Sequence, residues 1–277
     1  MYVSVDYHEI KNWQKIRQLQ NLLDLSTPPK NLYFRGVWNP KLFENCVAVV
    51  GSRRMTDYGQ RAVEKIIPQI VAQRKTVVSG FMYGVDQYAH LICCESGGKT
   101  IAVLGWGIDE KLSREDLKLA KKIIDCGGIL LSEWKSQKPT HWTFPSRNRI
   151  VAALSQEVIV VEAALHSGSL ITARIANRLN RVVWAVPGPI TSRTSVGTNK
   201  LIADGKAKMW LGVASKTSLL QSDDPILQIL DMEALTADEL GRKLSLPIAE
   251  VGAKLSILLV SGAILEKGGK YYIADVS

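Results

Sequence analysis

The chain has 277 residues, 46% hydrophobic and 22% charged, with a formal net charge of +9. That length and apolar content support one large α/β domain with a small appendage and exclude wholesale disorder. No apolar run reaches the eighteen or so residues of a membrane span, and the N-terminus lacks the basic flank and apolar stretch of a secretory signal.

The first forty-five residues are mixed and weakly helical, with a break at Ser26-Thr27-Pro28-Pro29 and a short strand expected over 32–36. They are too few for a domain of their own and are read as a short N-terminal segment, 1–45. A repeating pattern follows. Apolar runs at 46–50, 76–79, 100–104, 128–132, 158–161 and 182–186 are each bounded by Gly or Ser and followed by a helical stretch. Continuous Val/Ile runs without alternation indicate strands buried on both faces. Their alternation with helices predicts right-handed βαβ units and a doubly wound, mostly parallel sheet over 46–215, with a last strand at 208–211. Gln221-Ser222-Asp223-Asp224-Pro225 reads as a linker. Helices are then expected near 225–232, 236–243 and 247–261, the second opened by a capping box from Thr236 to Glu239. A hairpin over 264–273 completes what reads as a winged helix-turn-helix, residues 223–277.

Charge divides along the same lines. Residues 46–222 hold 24 Lys/Arg against 13 Asp/Glu, whereas residues 223–277 hold five against nine. A basic central domain points to a polyanionic partner. The acidic terminal domain, with Lys254 and Glu250 on its third helix and Lys267 and Lys270 on its wing, is expected to avoid duplex DNA and to act as a protein-contact or regulatory module. Cys46, Cys93, Cys94 and Cys126 form no CxxC pair and are read as reduced, mostly buried thiols of a cytoplasmic protein.

In an open parallel sheet, ligands bind beyond the C-terminal strand ends. Here those ends carry Gly51-Ser52-Arg53-Arg54, Ser79-Gly80 with Gly84, Gly105 and Gly107, Ser167-Gly168-Ser169, and Pro187-Gly188-Pro189. Small residues let backbone amides approach a ligand, and helix N-termini add a positive dipole end, so this edge suits phosphates. Arg53 is placed to fork onto a phosphate or stack on a base, and Arg54 to face solvent. Ser169 is expected to cap the helix that follows it. Phe144 stacks on a base or fills the core. Of Arg147 and Arg149, one is expected to face ligand and the other to form a structural ion pair with Glu162. Asp86 and His90, four apart on one helix face, are read as a helix hydrogen bond in preference to a catalytic or metal pair.

Taken together, these motifs resemble the DNA-processing protein A family, also called DprA or Smf. The resemblance runs in order through Val49-Val50-Gly51-Ser52-Arg53, Gly84-Val85-Asp86 with Ala89-His90, Gly98-Lys99-Thr100-Ile101-Ala102-Val103-Leu104-Gly105, and Phe144-Pro145 with Arg147-Asn148-Arg149-Ile150. It continues through Val161-Glu162-Ala163, Ser167-Gly168-Ser169-Leu170-Ile171-Thr172-Ala173 and Gly197-Thr198-Asn199, and covers about residues 28–211. It implies an extended Rossmann-like fold without known enzymatic activity or cofactor. That fold would bind and protect incoming single-stranded DNA, help load the RecA recombinase and act as a homodimer. By motif, the pocket would include Gly51, Ser52, Arg53, Phe144, Arg147, Arg149, Ser167, Gly168 and Ser169, with Lys138 or His141 in place of a family lysine. Two positions depart from the family pattern: Trp106 replaces a small residue, and Glu110-Lys111-Leu112 follows Gly107-Ile108-Asp109 where Tyr-Pro is usual.

Two other function classes share the general plan. A phosphoribohydrolase of Rossmann type carries a catalytic glutamate three residues past the threonine of its helix start, where this chain has Ile175 after Thr172. A small-nucleotide sensor would need the pocket but not the basic surface.

Overall fold

The β-branched runs become strands because their side chains are covered on both faces, and the order of those strands positions everything else. A computed structural model describes residues 6–212 and 224–273. In chain order the strands are β1 (Tyr7–Glu9), β2 (Tyr33–Gly36), β3 (Cys46–Val50), β4 (Thr76–Ser79), β5 (Thr100–Val103), β6 (Ile129–Ser132), β7 (Glu157–Val160), β8 (Val182–Ala185) and β9 (Lys208–Met209). They form one sheet in the order β1-β2-β6-β5-β4-β3-β7-β8-β9. From β6 to β9 every pairing is parallel, while β2 joins β6 and β1 joins β2 antiparallel. Every residue of β3, β4, β5 and β6 is buried.

Helices cover both faces. Helices α1 (Asp57–Ala72) and α2 (Val85–Glu95) precede α3 (Arg114–Asp125), α4 (Thr143–Leu154), α5 (Ser169–Arg178) and α6 (Val196–Ala203). Successive residues of β3 alternate between the two sides. Val47 and Val49 pack with Val63, Ile66 and Ile70 of α1, and Ala48 and Val50 pack with Ile150, Val151 and Leu154 of α4. The result is three layers, helix on sheet on helix.

The N-terminal segment is not separate from this domain. Trp13, Leu19, Leu22, Phe34 and Phe43 are buried in the same core as Ala48 and Val50, and β2 extends the sheet through Phe34 opposite Leu131. Its local sequence is too irregular to show this, because the burial comes from segments distant in the chain, such as β6 opposite β2. The strand expected at 208–211 pairs only over β9, with Trp210 N adding a 2.9 Å bond to the Ala185 carbonyl. All four cysteines are free; Cys46 and Cys93 are buried, Cys94 and Cys126 half-buried.

The described residues divide into two compact units between Leu211 and Gly212. The end of the expected central domain at 215, and Gln221 to Asp223 of the expected linker, lie outside the described residues. The second unit holds α7 (Pro225–Met232), α8 (Ala237–Leu244), α9 (Ile248–Val260) and the hairpin β10 (Ile264–Lys267) and β11 (Lys270–Ile273), the element order of a winged helix. Asp224 caps α7 by accepting from Ile226 N at 2.9 Å. The capping box of α8 closes with Glu239 accepting from Thr236 N at 2.8 Å and Thr236 Oγ1 from Glu239 N at 3.3 Å. Gly268 and Gly269 both take positive φ, 63° and 76°, as a two-residue hairpin turn that matches strand twist requires. Among the described residues, no helix is long and apolar enough to cross a membrane.

Candidate functional site

The parallel sheet changes direction once. From β3 the chain winds outward through β4, β5 and β6, then returns to lay β7 on the other side of β3. Loops leaving β3 and β7 therefore diverge, and an open α/β sheet binds its ligands in the crevice so formed. A cleft of about 990 Å³ opens there, lined by residues 51–54 after β3, Gly80 and Met82 after β4, His141, Phe144 and Arg147 at the start of α4, residues 164–169 after β7, and Arg193.

Tight backbone contacts fix the loops. A Cβ at Gly84 would lie 2.3 Å from the Ser52 carbonyl, and Gly84 itself takes φ +78°. A Cβ at Gly51 would lie 2.6 Å from Val85 Cγ2. These two glycines allow the β3 and β4 loops to touch, through Val85 N donating to the Ser52 carbonyl at 3.2 Å. Ser52 Oγ donates to the Arg54 carbonyl at 2.9 Å and accepts from Arg54 N at 3.0 Å, which closes the turn on which Arg53 stands.

The Arg53 side chain is exposed, with its guanidinium carbon 5.1 Å from the Phe144 ring centroid. Phe144 in turn meets Trp106 edge-to-face at 6.2 Å, and Trp106 meets Phe81 at 6.3 Å. Trp106 therefore props up a cleft residue from behind. Gly105 makes room, since a Cβ there would be 2.7 Å from Phe144 Cδ1.

Both arginines of α4 are held by structural bonds, and Arg147 also lines the cleft. Arg147 is only 2% exposed; its Nη1 donates to the carbonyls of Gly80 and Val103, and its Nε donates to Asn148 Oδ1 at 3.1 Å. Burial lowers its pKa to about 10, opposed by the nearby Asp86 carboxylate. Arg149 pairs with Glu133 at 2.6 Å, not with Glu162, and is absent from the cleft lining. The structural ion pair is thus Arg149 with Glu133, where Glu162 was expected, while Arg147 is the arginine of α4 that lines the cleft. The physical reason is helical spacing. Thr143, Arg147, Ile150, Val151 and Leu154 form the buried stripe of α4, so Arg147 points into the domain and commits Nη1 to the two strand-end carbonyls and Nε to Asn148.

Glu162 has a different task. Fully buried, it accepts from Thr56 N at 2.9 Å, Thr56 Oγ1 at 2.6 Å and Thr194 Oγ1 at 2.9 Å. It ties the start of α1 to the loop carrying Arg193. Ser169 is not the cap of α5 but its first helical residue; Gly168 takes the cap position. Ser167 does the capping work, its Oγ accepting from Ser169 N at 3.3 Å and lying 2.8 Å from Ser169 Oγ. Asn148 Nδ2 donates to the Gly168 carbonyl at 3.1 Å and holds this loop against α4. Of Lys138 and His141, the cleft lining includes His141 only.

Three residues at the cleft escaped sequence reasoning in part or whole: Arg54, Arg193 and His166, all exposed. Arg193 follows the Pro187-Gly188-Pro189 loop that the sequence had marked as a strand end, which was the available signal. Arg53, Arg54 and Arg193 enter no ion pair among the described residues. Beneath them most polar groups of the floor have internal partners, although the buried His90 Nε2 has none among the described residues. Asp86 is held by the Met82 and Gly51 backbones, the Ser79 hydroxyl donates to the Val49 carbonyl at 2.6 Å, and burial raises the Asp86 carboxyl pKa. His90 Nδ1 lies 2.6 Å from Thr100 Oγ1, whose own proton goes to the Val77 carbonyl at 2.8 Å. Nδ1 is therefore the donor, and burial pushes the imidazole pKa down to about 3, keeping it neutral. Asp86 and His90 have separate partners, and the expected hydrogen bond within the helix is replaced by these. At the position of a phosphoribohydrolase glutamate, Ile175 packs against the apolar core.

The model of the family described as DNA recombination-mediator protein A matches residues 11–221. The chain belongs to this family. Relatives include Protein Smf of Escherichia coli, 34% identical over 249 residues covering 81% of this chain and 67% of that protein, and the DNA processing protein DprA of Streptococcus pneumoniae, 37% identical over 209 residues covering 72% and 73%. The match to a second Protein Smf, from Synechocystis, spans 47% of that longer protein. The Streptococcus pneumoniae crystal structure superposes with a TM-score of 0.66 at 35% identity, covering 80% of this chain and 76% of that one. The Helicobacter pylori DNA processing protein A, solved for its single-stranded DNA binding mode, superposes with a TM-score of 0.68 at 29% identity, covering 80% and 99%. The fold of the family, a mostly parallel Rossmann-like sheet, is the fold of this chain.

Proposed function

We propose that this protein binds single-stranded DNA in the cleft between the β3 and β7 loops, protects the strand, and helps load the RecA recombinase in recombination or natural transformation. It acts in the cytoplasm, as a homodimer and without a catalytic step. The observation that carries the reading is the contrast between the cleft's rim and floor: Arg53, Arg54 and Arg193 enter no ion pair at the rim among the described residues, above a floor where Arg147 donates to the Gly80 and Val103 carbonyls. Unpaired guanidiniums fork onto phosphate oxygens, and the Phe144 ring under Arg53 offers a surface for a base. A duplex keeps its bases stacked inward and presents none to that ring. Single-strand binding in the Helicobacter pylori relative supports the same assignment.

The test is fluorescence anisotropy with oligo-dT and matched duplex at 50 and 200 mM salt. Three neutralised phosphates give a log–log slope of about −2 for a single strand, so affinity falls roughly twentyfold between those salts. Equal affinity for duplex, or a flat salt response, overturns the assignment. Sedimentation reports the dimer: a species of only 30.6 kDa at micromolar concentration refutes it.

A further inference from the structure

One large aromatic residue beside the cleft has no structural employment that accounts for its position. Trp142 stands immediately before α4, between His141 and Phe144, both of which line the cleft. It is 56% exposed and its side chain makes no capping bond to the helix. Among the described residues its one ring contact is Trp134, at 5.8 Å and an interplanar angle of 88°. In an edge-to-face pair only one ring lends a face to the contact, so at least one broad face of the Trp142 indole is left without a ring upon it. Trp134 thus braces the indole without covering it. A buried tryptophan would have stabilised the fold; this one is exposed to water, next in the chain to the cleft residue His141 though not itself in the cleft lining.

We propose that Trp142 is a base-stacking platform for the single strand held in the cleft, one step outside the Phe144 site. The inference rests on the function proposed above and adds a contact to it. The Phe144 ring already carries the Arg53 guanidinium, so stacking there competes with or sandwiches that cation, whereas the Trp142 face is open. Every base has a π-face, so the platform accepts any sequence and favours strands whose bases are unpaired. An indole is also the largest such surface a side chain offers. The occupant is therefore a nucleobase of the bound strand, its phosphates held by the rim arginines.

The experiment compares oligo-dT with an abasic deoxyribose-phosphate strand of equal length, on the full chain, for the wild type, Trp142→Leu and Trp142→Phe. Leucine keeps apolar bulk and removes the π-face; phenylalanine keeps a smaller one. The expected result is an affinity of Trp142→Leu for oligo-dT lower by roughly 5- to 100-fold, with the abasic strand bound as by the wild type and Trp142→Phe retaining most oligo-dT affinity. A wild type that holds oligo-dT while Trp142→Leu is unchanged overturns this proposal alone. Equal losses for both strands in both variants also overturn it, since a phosphate or structural role would then explain the residue. A wild type that fails to hold oligo-dT overturns the proposed function, and this inference with it.

Discussion

Arg147 and Arg53 line the same cleft and are employed in opposite ways. Arg147, on α4, is buried and donates to the Gly80 and Val103 carbonyls; Arg53, on the β3 loop, is exposed, with its guanidinium over the Phe144 ring and no ion pair among the described residues. A helix that packs on a sheet commits its inward residues to the domain, whatever their type. A loop at a strand end is under no such demand, since its backbone is held by glycine contacts and Ser52. The comparison separates stability from binding at one site: the floor holds the loops in register, and the rim is left free for an anion.

The sharpest way to break that separation is Arg147→Met. It leaves two strand-end carbonyls and Asp86 without their cation, and loss of one partner from a buried charge network costs about 3–5 kcal/mol. Urea unfolding measures it; a loss under about 1 kcal/mol shows that Arg147 is not spent on the fold. Arg53→Ala is the mirror experiment. Stability should stay within about 0.5 kcal/mol of wild type, while oligo-dT affinity falls roughly 10- to 100-fold as a charge-assisted phosphate contact disappears. Wild-type affinity in that variant removes Arg53 from the site.

His90 sharpens the picture of the floor. Folded, it stays neutral down to pH of about 3, whereas the unfolded chain protonates it below about 6.5. The unfolded state therefore binds the extra proton, and stability falls as pH drops from 6.5 towards 3, by about 1.4 kcal/mol per pH unit from this group. Between pH 7 and 5 the contribution is about 2 kcal/mol. His90→Gln, which keeps a donor for Thr100, should flatten this part of the pH profile; an unchanged profile means His90 is not buried neutral.

The smallest expected effect compares the two units. Residues 223–277 carry nine acidic against five basic residues, and on α9 Lys254 lies 3.5 Å from Glu250. Ending the chain at residue 222 should leave oligo-dT affinity within about threefold, or raise it, because an acidic unit adds no attraction to phosphate. Loss of most binding in a truncated chain that melts normally shows that the unit contributes directly.

Local pattern was enough for much of this molecule. The parallel strands follow from Val/Ile runs punctuated by glycine, and the capping box of Thr236 and the Gly268-Gly269 turn follow from short-range chemistry. The loops carrying Gly51, Ser52, Arg53 and residues 167–169 were visible too, since small residues at strand ends are a local signature. The buried stripe through Arg147, Ile150, Val151 and Leu154 was also countable on the sequence, and its phase puts Arg147 on the inward face of α4. Other features depended on pairings between distant segments: β7 beside β3, β2 against β6 with Trp13 and Phe34 in the shared core, and Glu162 bridging Thr56 and Thr194. No spacing within one segment encodes those partners. Which cations remain free is a property of what surrounds them, so Arg193 became a rim residue and Arg149 a partner of Glu133 only when the layers closed.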